Sequence, residues 1–467
     1  MKNSQTDSYI KSFIPYALAA FLIGIVGGLT TVLGPAFVQD MNLNYNNTTW
    51  TALSLSLSTA VCSPILGQLS DMWGRRTTLL FGIIIFTIGN ILTAIASSLI
   101  FMLIARFIVG VGTAAIAPTI MSYIVTEFPP ENMAKGFSLY MLISSSAVIF
   151  GPSIGVLILE SWGWRILLWI CVFLSILFFI LCLVTHKKVL YKPKKIEHFD
   201  SLGAFFVITF FSFLLCIPSF GQNFGWLSSS LIIVTILAVF SLIGLIITEK
   251  RAYKPILSSK FIYRQSFILP IIILFLTQGL MQANMTNIIV FVNYTQPNNT
   301  AISGYAISIM YLGMALGSIL IGPLSDRIEP KRILTVSLIL TAIGSGIMLL
   351  FSEYTTFILL ALSLGMLGFG LGGNATIFMK IVLSHIPSDI AGSGTGIYGL
   401  FRDLAIPFGV ALFVPMFTNR ISNLIEMSGL TVPHAAVNSI HLLSLIELGC
   451  IIIGLIIVQF LPKIYEK

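Results

Sequence analysis

The sequence predicts an all-α membrane protein of fourteen transmembrane helices. Three observations carry this: an apolar composition, repeated apolar runs of spanning length, and basic residues confined to alternate loops. Hydrophobic residues make up 57% of the 467 positions and charged residues 9%, with a mean hydropathy of +0.99. A water-soluble fold of this length has too little interior to hide that much apolar surface, so lipid is the solvent that fits. The five cysteines, Cys62, Cys171, Cys182, Cys216 and Cys450, lie inside apolar runs without metal or disulfide spacing and read as small core residues. The first apolar stretch has spanning length and no small-residue cleavage site after it, so no cleavable signal is expected.

Apolar runs of about 20 residues fall near 14–38, 48–68, 77–97, 100–126, 136–158 and 164–185, then near 201–219 and 230–249. Six more fall near 266–292, 301–321, 332–352, 355–384, 393–418 and 437–461. The expected organisation is an N-terminal six-helix bundle (1–186), a polar linker (187–200) and an extra transmembrane hairpin (201–249). A loop (250–265) and a C-terminal six-helix bundle (266–467) complete it.

The net charge of +8 is topological rather than a nucleic-acid footprint. With the N-terminus inside, 20 of the 25 Lys and Arg residues fall on the cytoplasmic side, only Arg165 and Arg420 fall outside, and Arg106, Lys380 and Arg402 lie within spans. The chain is therefore expected to cross an inner or plasma membrane many times with both termini in the cytoplasm. The Ile-rich composition suggests an AT-rich bacterial genome.

Two cytoplasmic turns resemble each other. Gly67-Gln68-Leu69-Ser70-Asp71-Met72-Trp73-Gly74-Arg75-Arg76 is echoed 255 residues later by Gly322-Pro323-Leu324-Ser325-Asp326-Arg327, with Lys331 and Arg332 following. Each turn joins the second and third spans of a six-span block. Glycine permits close helix approach there. The aspartate can accept bonds from a helix N-terminus or pair with a basic residue across an interface.

On these residues the chain resembles the major facilitator superfamily in its fourteen-helix drug:proton antiporter branch. Gly67, Asp71, Gly74, Arg75 and Arg76 are similar to its signature loop, and Asp326 is the counterpart in the second repeat. The run from Leu103 through Arg106 to Gly110 and Gly112 resembles the helix-4 motif with its membrane-embedded arginine. Gly151, Pro152 and Gly155, followed by Trp164 and Arg165, resemble the antiporter motif of helix 5. Gly396 through Arg402 and Asp403 resembles a Gly-rich segment of helix 13. The resemblance covers nearly the whole chain. It implies a major facilitator fold of two six-helix bundles around a midplane cavity, rocking between inward- and outward-open states, with the hairpin added. Pro152 removes a backbone bond and Gly151 and Gly155 allow tight contact, which suits a moving helix. An inert kink is the plain alternative.

A charge deep in a bilayer costs about 2.5–3.5 kcal/mol on insertion scales, so each needs a reason. Of the 17 acidic residues, Asp403 and Glu447 fall near the middle of spans. A carboxyl that is neutral in one state and charged in another can couple transport to protons, because burial disfavours its charge and a nearby cation favours it. The proton-coupling candidates are Asp403, Arg402, Glu447 and Arg106, the last as a partner to an acid across the cavity. A structural ion pair at Asp403 is the competing reading, and for Glu447 it is local pairing with His441 or a neighbouring helix. Lys380 is expected to snorkel outward rather than bind an anion. Family members often carry an acid in helix 1 before the proline matched by Pro35, and the stretch from Ile25 to Pro35 has none. Either Asp403 takes over the coupling role, coupling differs, or transport is facilitative.

Helix 9 is polar for a span. Gln278, Met281, Gln282 and Met285 fall at i, i+3, i+4 and i+7 and would share one face. Amides offer donors and acceptors without fixed charge and methionine adapts to varied shapes, which suits a permissive site for amphipathic molecules. Interhelical bonding is the alternative. Asn374 joins the substrate-binding candidates.

The expected function is therefore export of drug-like amphipathic small molecules in exchange for protons. A dedicated exporter of one metabolite (siderophore, amino acid or lipid precursor) is the alternative, and a non-transporting sensor or scaffold is the reading from another class. No nucleophile–base constellation, metal cluster or P-loop occurs, so neither an enzyme nor an ATP-driven pump is expected. The expected partners are small-molecule substrates, protons and the lipid bilayer, with no nucleic acid, no cofactor beyond the proton gradient, and a monomeric state.

Overall fold

Water is absent from a bilayer core, so a chain this apolar must bond its own backbone, and the helix does so within one segment. The computed structural model describes residues 2–41, 47–129, 132–185, 200–225, 227–253, 255–257, 265–297, 301–384, 386 and 390–461. Among these, fourteen α-helices and two 3-10 turns account for the elements. They are α1 (Lys2–Asp40), α2 (Asn47–Trp73), α3 (Arg75–Ala94), α4 (Leu99–Glu127), α5 (Met133–Trp162), α6 (Trp164–Thr185), α7 (Ser201–Phe224) and α8 (Ser229–Arg251). Then come α9 (Gln265–Thr295), α10 (Ala301–Leu320), a 3-10 turn (Gly322–Asp326), α11 (Pro330–Ile347) and a second 3-10 turn (Met348–Leu350). The last three helices are α12 (Phe357–Leu383), α13 (Ala391–Ser428) and α14 (Val432–Gln459). Twelve of these helices are long and apolar enough over their described residues to cross a membrane. Several run past the apolar windows, α13 as far as Ser428, because helical hydrogen bonding continues beyond the hydrocarbon edge.

The chain divides into two compact units. One comprises Met1–Phe213, Ile236–Ile262 and Leu383–Asp403, and the other Leu214–Thr235, Tyr263–Val382 and Leu404–Lys467. Packing thus assigns the first part of α13 to the unit of α1–α6. The linker 187–199 lies outside the described residues.

In the first unit the turns between spans rest on glycine. Gly74, between α2 and α3, has φ +88°, and Gly163, between α5 and α6, has φ +79°, a region other residues rarely adopt. Helices α3 and α4 cross closely because Gly112 lies against the backbone of Phe86; a Cβ there would stand 2.5 Å from the Phe86 nitrogen. Large apolar side chains such as Phe173, Val184 and Phe240 remain exposed, as lipid-facing surface should. In the second unit, Ile288, Phe291, Met310, Leu364, Phe417 and Leu443 form a buried apolar cluster joining α9, α10, α12, α13 and α14.

Candidate functional site

The signature turn works as a cap. Asp71, in the last turn of α2, accepts hydrogen bonds from the backbone N–H groups of Gly392 (2.7 Å) and Ser393 (2.7 Å) in the first turn of α13. Those groups have no partner within the helix, and the positive end of the helix dipole favours an anion. The approach is close because Gly67 faces Gly392 and Gly396 backbone, leaving no room for a side chain. Arg75 donates through Nε to Ser122 Oγ at 2.9 Å and lies 3.8 Å from Glu127, and Arg76 reaches the Leu183 carbonyl at 3.4 Å. The first repeat's turn therefore ties α2, α3, α4, α6 and the start of α13 together.

The second repeat solves the same problem differently. Asp326 ends a 3-10 turn and pairs through Oδ1 with Lys380 Nζ at 2.8 Å; the same ammonium donates to the Ser325 carbonyl. The Lys380 and Asp326 side chains are only 7% and 4% exposed. Lys380 thus does not snorkel outward as expected. An acid one helix away offers the ammonium more than the distant interface does, since burial excludes water from both groups.

Arg402 and Asp403 pair directly. Arg402 donates Nε to Asp403 Oδ1 at 2.7 Å and Nη2 to Oδ2 at 3.1 Å, a two-bond clasp between chain neighbours. Both side chains are mostly buried, and Tyr140 on α5 also meets Arg402. Arg106 behaves otherwise than expected. Its guanidinium is fully buried, with the Phe37 ring 5.3 Å away, and none of its nitrogens has a hydrogen-bond partner among the described residues. No described acid pairs with it. The ring's negative face is what the structure offers the charge.

Glu447 sits midway along α14 and is 2% exposed. Asn284 Nδ2 donates to both of its oxygens at 2.9 Å, and Ser345 Oγ donates to Oε2 at 2.8 Å. Of its two expected local pairings, the one with His441 does not occur, since His441 Nε2 lies 2.9 Å from the Phe351 carbonyl. The one with neighbouring helices does, through Asn284 on α9 and Ser345 on α11. Ser345 and Ser444 were not legible as site residues, since a small hydroxyl in a span carries no signal by itself. Asn284 lies on the same helix as Gln278, Met281, Gln282 and Met285 but on a different face.

That face divides in the structure. Met281 and Met285 are buried in the apolar cluster, where the Tyr311 hydroxyl meets Met285 Sδ at 3.4 Å, while Gln278 is buried and Gln282 half-buried. Asn374 is buried and donates to Thr341 Oγ1 at 3.3 Å, bonding α12 to α11. Gly151 and Pro152 lie within α5, and Gly155 beside them is buried.

The model of the Major Facilitator Superfamily matches residues 16–410. The chain belongs to that superfamily. As a facilitator it is a multi-pass membrane transporter of small molecules and not an enzyme. It is 24% identical over 414 residues to Multidrug resistance protein 3 of Bacillus subtilis, covering 87% of this facilitator and 80% of the relative. It is also 24% identical over 422 residues to the Multidrug export protein EmrB of Haemophilus influenzae, covering 89% and 82%. Among solved structures, the human organic anion transporter MFSD10 superposes with a TM-score of 0.67 at 14% identity, over 97% of this chain and 99% of that one. The Escherichia coli fucose:proton symporter FucP does so at 0.62 and 14%, over 98% and 100%. These likenesses establish the fold.

Proposed function

We propose that this facilitator exports drug-like amphipathic small molecules in exchange for protons by alternating access across a bacterial cytoplasmic membrane, with both termini inside. The observation that carries the reading is a pair of mid-membrane carboxyl groups, Asp403 and Glu447, in contrasting surroundings. One is clasped by a guanidinium and the other held by neutral groups alone among its described partners. A helix that keeps such groups in hydrocarbon does so for transport chemistry. The names of the relatives support drug-like substrates, and the antiporter-like segment at Gly151 and Pro152 supports exchange. The proton gradient is the energy source; the membrane potential adds about 2.3 kcal/mol per charge per 100 mV. The chain acts as a monomer in the bilayer, without a cofactor.

The test uses everted membrane vesicles energised by respiration, ethidium as substrate and acridine orange as the pH reporter. Ethidium is expected to accumulate inside and to release luminal protons as it does. Accumulation that persists after nigericin and valinomycin collapse the proton gradient would exclude proton exchange. Activity on a single metabolite, with no drug transported, would replace the drug-export reading by that of a dedicated exporter.

A further inference from the structure

Glu447 is surrounded by groups that can serve it in either protonation state. As a carboxylate it accepts from the Asn284 amide and the Ser345 hydroxyl. As a neutral acid it has an O–H to donate, and the acceptor stands beside it: Asn284 Oδ1 is buried and has no hydrogen-bond partner among the described residues. A half-turn of the amide brings that oxygen to the carboxyl. An Asn side chain offers both roles from one position. Ser345 is fixed in turn, since the Ser444 hydroxyl donates to the Ser345 carbonyl at 2.6 Å. The cluster joins α9, α11 and α14 within one unit.

The charged and titratable groups on the surrounding elements are engaged elsewhere or distant. Helix α9 carries no Asp, Glu, Lys, Arg or His along Gln265–Thr295, and Tyr294 lies ten residues from Asn284. Lys331, at the start of α11, donates to the Gln459 carbonyl, about 18 Å along α14 from Glu447. Arg332 pairs with Glu329, Lys380 on α12 pairs with Asp326, and Arg420 and Glu426 on α13 are exposed. On α14 itself, His434 pairs with Glu353, His441 meets the Phe351 carbonyl, and Cys450 lies one turn away. Nothing described supplies a cation to Glu447. A buried carboxylate without one is strongly disfavoured, whereas a carboxylic acid there is a polar group with its bonds made.

We propose that Glu447, with Asn284 and Ser345, is the proton-binding site of this transporter. One proton from water adds to a carboxylate oxygen, an O–H bond forms, and the Asn284 amide turns over so that its Oδ1 accepts a hydrogen bond from that O–H. When the site meets water in the other conformational state the proton leaves and the amide turns back. This deepens the proton-exchange reading, and the coupling role rests on it. Protonation of the group does not.

Infrared difference spectra of the purified protein, taken as pH is raised, read the site without any substrate. The wild type is expected to show a buried carboxylic-acid C=O band at neutral pH that is lost at alkaline pH. E447Q should lack the band, and E447D should move it to the aspartic-acid frequency, which keeps the assignment testable if E447Q folds poorly. Ethidium-driven proton release in vesicles should be lost in E447Q. Absence of the band from the wild type, or its survival in E447Q and disappearance in D403N, would overturn the site. If the band follows Glu447 while wild-type ethidium transport ignores the proton gradient, the coupling role is overturned together with the antiport reading.

Discussion

Removing Lys380 from its pair with Asp326 tests how the second repeat's turn is held. The two side chains are 7% and 4% exposed, so neither can recruit much water. In Lys380→Met the methylene stem keeps most of its packing, but Asp326 loses its cation and Ser325 loses a donor to its carbonyl. Leaving one member of a buried pair uncompensated costs about 3–5 kcal/mol. Part of that cost belongs to the stranded carboxylate and not to the lost attraction, so a second substitution should recover it. The double variant Lys380→Met with Asp326→Leu should fall within about 1–2 kcal/mol of the wild type, because two apolar groups of similar shape replace the pair. The assay is thermal unfolding of the detergent-purified protein, followed by a thiol-reactive dye on the buried cysteines, across the four members of the cycle. Equal stability of Lys380→Met and wild type would refute the buried pair. A double variant as unstable as the sum of the singles would refute the stranded-charge account.

Three further outcomes follow from the geometry. Asp71→Asn leaves one acceptor in place of two charged ones at the start of α13 and should weaken the cap by about 1–2 kcal/mol, read as faster amide exchange at Gly392 and Ser393; unchanged exchange would remove the cap. Gly112→Val forces side-chain atoms into the Phe86 backbone and should sharply lower the yield of monodisperse protein in size-exclusion chromatography, whereas normal yield would show that α3 and α4 separate readily. Arg106→Met should leave the thermal midpoint unchanged or raised while ethidium transport falls, since an unpaired buried guanidinium costs several kcal/mol and its contact with Phe37 returns about 2 kcal/mol. A large loss of stability would reveal a partner for the arginine.

The helices were legible because hydrocarbon imposes a simple condition, about 20 apolar residues per span, and the sequence meets it with clear interruptions. The two related turns were legible because glycine and aspartate recur at fixed positions. What each aspartate bonds was not, because its partner lies far along the chain: Gly392 is 321 residues from Asp71. Lys380 was misread for the same reason. One turn inside a helix end, a lysine satisfies the pattern for snorkelling, and only packing reveals that Asp326 reaches it first. The polar face of α9 shows the limit of periodicity. Gln278, Met281, Gln282 and Met285 do share a helical stripe, yet the residue on α9 that meets an acid is Asn284, one position before Met285. Helical spacing says which residues lie together and cannot say which neighbour they face.

The two halves have kept one device and changed its chemistry. In the first repeat the anionic end of the turn is answered by backbone N–H groups, and glycines at 67, 392 and 396 bring those groups within reach. In the second, the turn tightens into a 3-10 segment that carries Asp326 to a side-chain cation, and Ser325 supplies its carbonyl to the same ammonium. A helix terminus carries about half a unit charge, shared over several groups, while an ammonium carries a whole one, so the two contacts differ in kind. The first depends on two backbones staying close and breaks by separation. The second can stretch, follow a long flexible side chain and persist. The alternating access proposed above would need a contact that releases cleanly and another that holds its helices while they move. The bonding at Asp71 suits the first task, and that at Asp326 suits the second.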